Sequence, residues 1–178
     1  MANVTEGLHS FSVDSSGKLT HIDSDDQGGE ATDVWGDGNF IYLANGTAGL
    51  HTYSVDASGN LTHIDFHDLC AGPEHICGKA SGVWGDGNFI YLANSYGGLH
   101  TYSVNGSGNL THLSFHDQEG QALSVWGDGN FVYLANGHWG LNTYSVDGSG
   151  NPTHIDTHDP QGSCNNSSGK MPGGCLAG

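Results

Sequence analysis

VWGDGNFIYLAN, from Val34 to Asn45, occurs again unchanged from Val83 to Asn94, and with one change, Val132 for Ile, from Val125 to Asn136. A second block, GLHTYSVDASGNLTHIDFHD (Gly49 to Asp68), returns at Gly98 to Asp117 with four changes in twenty positions. Degenerate copies of it begin at Gly7 and Gly140. Trp35, Trp84 and Trp126 stand 49 and 42 residues apart, so the period is 42 with one seven-residue insertion. Self-similarity at such a period identifies a repeat architecture and outranks every local reading.

Each unit divides into four short strands, A to D. Strand A ends in VWG, and the Asp-Gly-Asn after it (Asp37, Gly38, Asn39) is tight-turn chemistry. Strand B, NFIYLAN, is β-branched and aromatic, as strands are. A Gly-containing loop leads to strand C, LHTYSV, and a hairpin loop from Asp56 to Asn60 leads to strand D, LTHIDF. No stretch has a helical period with caps. Four strands per unit in tandem predict an all-β fold of β-propeller-type blades, each of four antiparallel strands. A β-solenoid is the main alternative, but its rungs repeat every ~20–30 residues without a hairpin rhythm.

The units run approximately 1–33, 34–82, 83–124 and 125–178, in one repeat domain spanning 1–178. The first opens in mid-unit: Ala2 and Asn3 match the end of strand B, and Gly7 starts strand C. The order is therefore CD-ABCD-ABCD-ABCD, about three and a half blades. A closed propeller has at least about four. The chain is expected to be part of a larger propeller or assembly, because open edges are an assembly device. Trp35, Trp84 and Trp126 are expected in the core between blades, and Trp139 outside it.

In an antiparallel blade the A–B and C–D turns share one end, and the B–C loops and D–A crossovers share the other. The first end is nearly invariant between units and the second varies. Tyr96 and Trp139, with His138 beside it, sit at variable B–C tips and depart from the repeat. Exposed aromatics on loops stack on sugar rings or fill a partner's pocket, so these three are the candidate binding residues. Local packing is the plainer explanation for an aromatic at a loop tip.

Composition excludes much. The 178 residues carry nineteen acids against three lysines and no arginine, a net charge of −16. Such a surface repels phosphate, which argues against nucleic acid and anionic membranes as partners. No apolar run approaches a membrane span, so no membrane insertion is expected. Seventeen aromatic residues argue against disorder in a chain with thirty glycines.

Cys70 and Cys77 fall in one long crossover, and Cys164 and Cys175 in the matching stretch of the fourth unit. Four cysteines allow three connectivities. Local pairing, Cys70–Cys77 and Cys164–Cys175, staples one loop each and implies an oxidising compartment. Asn-x-Ser/Thr acceptors occur at Asn3, Asn45, Asn60, Asn105, Asn109, Asn165 and Asn166. Together they favour an extracellular or cell-surface location.

Twelve histidines recur with the repeat. His63, Asp65 and His67 alternate along one strand, a geometry compatible with a metal. The set is eroded elsewhere, with Ser114 in place of Asp and Asp25 in place of His, so a hydrogen-bonding ladder is the better reading. No metal and no cofactor are expected. If all twelve titrate as exposed groups, acidification to pH 5.5 adds twelve positive charges, brings the net charge from −16 to −4 and tightens association between copies. The repeated Asp37, Asp86 and Asp128 are read as turn holders. No nucleophile elbow, phosphate loop or zinc-protease motif is present, so no enzyme activity is expected.

The VWGDGNFIYLAN block followed by GLHTYSV resembles the LVIVD-type propeller repeats of secreted and surface proteins. It is also similar to the VWGDG…IYLAN…GL…YS repeats of mastigoneme-like proteins, components of algal flagellar hairs. The likeness covers nearly the whole chain, departing at the cysteine crossovers and in carrying His where hair-type repeats often carry Arg. It implies propeller blades and an extracellular, structural or adhesive role, with no catalytic residues to carry over. GNLTHID is more weakly similar to lactonase-type propellers, none of whose catalytic residues can be placed here. The resulting expectation is a structural subunit of a filament or surface assembly, with other copies or further blades as partners. The alternative is a lectin-like module binding glycans or protein through the variable face.

Overall fold

A computed structural model describes residues 1–69, 78–117 and 119–159. The first sheet is β1 (Ala2–Asn3), β2 (Gly7–Val13) and β3 (Leu19–Asp25). The second is β4 (Asp33–Gly36), β5 (Ile41–Ala44), β6 (Leu50–Val55) and β7 (Leu61–His67). The third is β8 (Ala80–Gly85), β9 (Ile90–Asn94), β10 (Leu99–Val104) and β11 (Leu110–His116). The fourth is β12 (Ser124–Gly127), β13 (Val132–Ala135), β14 (Leu141–Val146) and β15 (Pro152–His158). All neighbours are antiparallel and sequential, as propeller-type blades require. The first sheet lacks strand A and keeps only a stub of strand B.

Three apolar cores lie between successive sheets. Leu8 of the first sheet packs in a cluster with Leu43 and Tyr53 of the second. Tyr42 and Leu50 pack with Ile90, Leu92 and Tyr102 of the third. Tyr91 and Leu99 pack with Val132, Leu134 and Tyr144 of the fourth. The IYLA run serves both faces of its blade by period-two alternation: Ile90 and Leu92 look back, Tyr91 and Ala93 look forward.

The turns at the invariant end are held by aspartate. Asp37 Oδ1 accepts the amides of Asn39 and Phe40 at 2.7 and 2.8 Å, and Oδ2 accepts the Tyr42 hydroxyl at 2.9 Å. Asp86 and Asp128 repeat the arrangement. These bonds hold the Asp37 carboxyl below its ordinary range, although partial burial opposes them.

A repeated joint links each blade to the next. The Trp35 ring lies where a Cβ on Gly85 would be, and the Trp84 ring where a Cβ on Gly127 would be. Glycine is needed at those points so that an indole can lie on bare backbone. Trp126, in the fourth sheet, meets no such partner among the described residues and is 58% exposed. This corrects the expectation that all three tryptophans are core: Trp35 and Trp84 are half-buried at joints, and Trp126 is a surface residue.

Strand D carries a β-bulge, with the register shifting between Thr52 and Tyr53. One extra residue on β7 breaks the alternation. His63 then faces back with Tyr53, whereas Asp65 and His67 face the next blade. The three side chains do not share a face.

Candidate binding cleft

The variable end is organised by an asparagine at the close of each strand B. Asn45, Asn94 and Asn136 are buried. Asn45 Nδ2 donates to the Gly28 carbonyl at 2.6 Å, and Asn136 Nδ2 donates to the Glu119 carbonyl at 2.9 Å. Each thus ties the B–C tip to the D–A crossover arriving from the previous blade. This corrects one glycosylation expectation. Asn45 is 1% exposed with its amide committed to the fold, so it has no room for a glycan. Asn60, Asn105 and Asn109 are exposed and Asn3 is half-buried. Asn165, Asn166 and all four cysteines (Cys70, Cys77, Cys164 and Cys175) lie outside the described residues.

Between the third and fourth sheets this end opens into a cleft of about 950 Å3. Tyr96 lines it from one side and His138 with Trp139 from the other, so the three candidates converge on one site. Tyr96 follows Ser95, which takes φ +39° in a turn closed by the Gly97 amide on the Asn94 carbonyl. That conformation presents Tyr96 outward, 70% exposed. Ser95 is pinned in turn by the Ala122 amide, which donates to its carbonyl at 2.8 Å. Trp139 closes a single 3-10 turn, Gly137–Trp139, whose Trp139 amide donates to the Asn136 carbonyl at 3.0 Å.

The wall between these aromatics comes from the crossover: Asp117, Glu119, Gln121 and Leu123. Sequence reasoning did not single these out. Their signal was positional, since a D–A crossover shares the end that carries the B–C tips. The cleft offers aromatic faces beside carboxylate and amide groups, a combination that stacks on a sugar ring while accepting and donating hydrogen bonds to its hydroxyls.

The histidines form cross-strand pairs. His9 Nδ1 lies 3.1 Å from His21 Nε2, His51 Nδ1 3.0 Å from His63 Nε2, and His100 Nδ1 3.1 Å from His112 Nε2. His67 stacks on His112 across the joint, and His116 on His154. Burial pushes His51, His67, His112 and His116 below the ordinary histidine range, and His100 to about 3. Those five do not titrate as free surface groups, which corrects the expectation that twelve charges appear together by pH 5.5. Among the described residues no three His, Cys, Asp or Glu side chains are grouped to hold a metal ion.

The LVIVD repeat profile matches residues 28–64, 77–101 and 119–154, more than half of the chain. No curated protein matches it.

Proposed function

This chain belongs to the LVIVD repeat family, and from that premise we propose that it is an extracellular structural subunit, a building block of a filament or surface assembly of the mastigoneme-like kind. The observation that carries the reading is Trp126. It is chemically identical to the two tryptophans that join blades, yet stands 58% exposed on the outer face of the fourth sheet. Beside it, Tyr133, Ala135 and Leu141 line an apolar hollow of about 400 Å3. Apolar joint surface left open is a docking surface by chemistry. Exposed sequons at Asn60, Asn105 and Asn109 and the spacing of the cysteines support a secreted location. No catalytic role is proposed. Sedimentation and electron microscopy of the purified chain at about 0.15 M salt should find concentration-dependent, end-to-end particles. A single monomeric species up to the highest soluble concentration would overturn the reading.

The convergence of Tyr96, His138 and Trp139 on one cleft favours a second reading, a carbohydrate-binding module. A glycan array should then give hits that Tyr96→Ala and Trp139→Ala each weaken about tenfold or more, as loss of a stacking ring does. Trp126→Ala should leave them unchanged. Hits insensitive to both cleft substitutions would place binding elsewhere.

A further inference from the structure

We infer that the outer face of the fourth sheet docks on the outer face of the first sheet of a second copy, through the strand-D joint already used inside the chain. The inference rests on the assembly reading above and names its partner and contact.

The internal joint has three parts. A strand-D aliphatic rests on the glycine of the next blade's C–D turn: Ile22 on Gly59, Ile64 on Gly108, Leu113 on Gly150. The residue after it reaches the amide that begins the next strand D. Asp23 Oδ2 accepts from Leu61 N at 2.9 Å, and Asp65 Oδ2 from Leu110 N at 2.8 Å. Two residues further on, His67 packs on Tyr102 and His112, and His116 on Tyr144 and His154.

The third joint shows that the second part is matched residue for residue. There the carboxylate is replaced by Ser114, and the amide it would meet belongs to Pro152, which has no N–H. Acceptor and donor are absent together. In the fourth sheet the aspartate returns as Asp156, and in the first sheet the donor position is Leu19, which has its N–H.

Among the described residues both halves of this joint stand open at the outer faces. Ile155 is 50% exposed, and Asp156 and His158 are exposed. Asp156 is already posed: its Oδ1 accepts the Thr157 amide at 2.9 Å, as Oδ1 of Asp23 accepts from Ser24 and Oδ1 of Asp65 from Phe66. That pose leaves Oδ2 for a neighbour. On the first sheet, Gly17 has φ +84° and nothing within 4 Å of a Cβ position. Leu19 is 60% exposed, whereas its counterparts Leu61 and Leu110 pack into joint cores. Phe11 and His21 occupy the positions that receive His67 and His116 in the inner joints. The two faces differ, so the contact is head-to-tail and propagates into a ring or a filament.

The test is complementation between two variants in analytical sedimentation. Asp156→Ser damages only the back of a copy. Leu19→Pro damages only the front, in a position where proline already occurs naturally at 152, and circular dichroism checks that it folds. Asp156→Asn serves as a milder second variant. Each alone should weaken association about tenfold or more, the loss of a hydrogen bond to a charged group. A 1:1 mixture of the Ser and Pro variants should restore assembly, because an intact back meets an intact front and the Ser back meets the Pro front, the pairing of Ser114 with Pro152 in the third joint. Wild-type assemblies unaffected by either substitution would overturn this joint and leave the assembly reading standing. Variants that dissociate but fail to pair when mixed would overturn the second copy as occupant. Dissociation caused by Trp126→Ala and by neither of the others would also overturn it, because only a complete blade from another protein supplies the glycine that receives an indole. A wild-type chain that never associates would overturn both.

Discussion

Acidification from pH 7.5 to pH 5 should destabilise the folded chain by at least about 2 kcal/mol, through His100 alone. This ring is 5% exposed, with Nδ1 3.1 Å from His112 Nε2 and Nε2 3.1 Å from Asn94 Nδ2. Burial is the main force holding it to about 3, with the neighbouring His112 acting in the same direction. An unfolded chain takes up the proton near pH 6.5, the folded chain only near pH 3, so between these values the unfolded state binds more protons. The stability contributed by the neutral ring is therefore complete above about pH 6.5 and falls by about 1.4 kcal/mol per pH unit below it. His51, His67, His112 and His116 are all lowered and add to the same slope. Urea midpoints read by tryptophan fluorescence at the two pH values would measure it. The fourth blade carries Asn142 at the position of His100, so His100→Asn is the natural control and should flatten the dependence. An equal slope in the variant would contradict the assignment.

Strand order, phase and the end on which the candidate ligands gather were legible because they follow from repetition and alternation, both of which are periodic in the chain. Even the two-residue stub β1 stands where Ala2 and Asn3 match the end of strand B. Three features were not legible, each because it depends on a neighbour in space. Asn45 reads as a sequon, and only the arriving Gly28 carbonyl makes it a buried clamp. His63, Asp65 and His67 read as one face until the bulge turns two of them away. Ser114 reads as erosion of an aspartate, and acquires its reason only when Pro152 is placed across the joint. Asp117 and Glu119 belong to the cleft for the same cause, since a crossover's neighbours are set by how two blades meet.

The same dependence on a neighbour should separate chemically identical tryptophans. Trp84→Ala is expected to cost about 3 kcal/mol of stability, at the lower end for a large aromatic because the ring is half-buried. Its indole stacks on Tyr91 at 5.5 Å between ring centres and covers the bare backbone of Gly127, so truncation opens a void between two blades. Trp126 keeps the first contact, stacking on Tyr133 at 5.9 Å, but among the described residues no glycine of another blade lies under its ring. Trp126→Ala should then cost about 1 kcal/mol or less, the worth of one exposed aromatic pair. Gly127→Val tests the joint from the other side. Its side chain would occupy the space of the Trp84 ring, and the expected loss is comparable to that of Trp84→Ala. Chemical denaturation of dilute monomer, with Trp35→Ala as a second inner-joint variant, gives the comparison. Equal losses at Trp84 and Trp126 would mean that the indoles stabilise their own blades and not the joints between them.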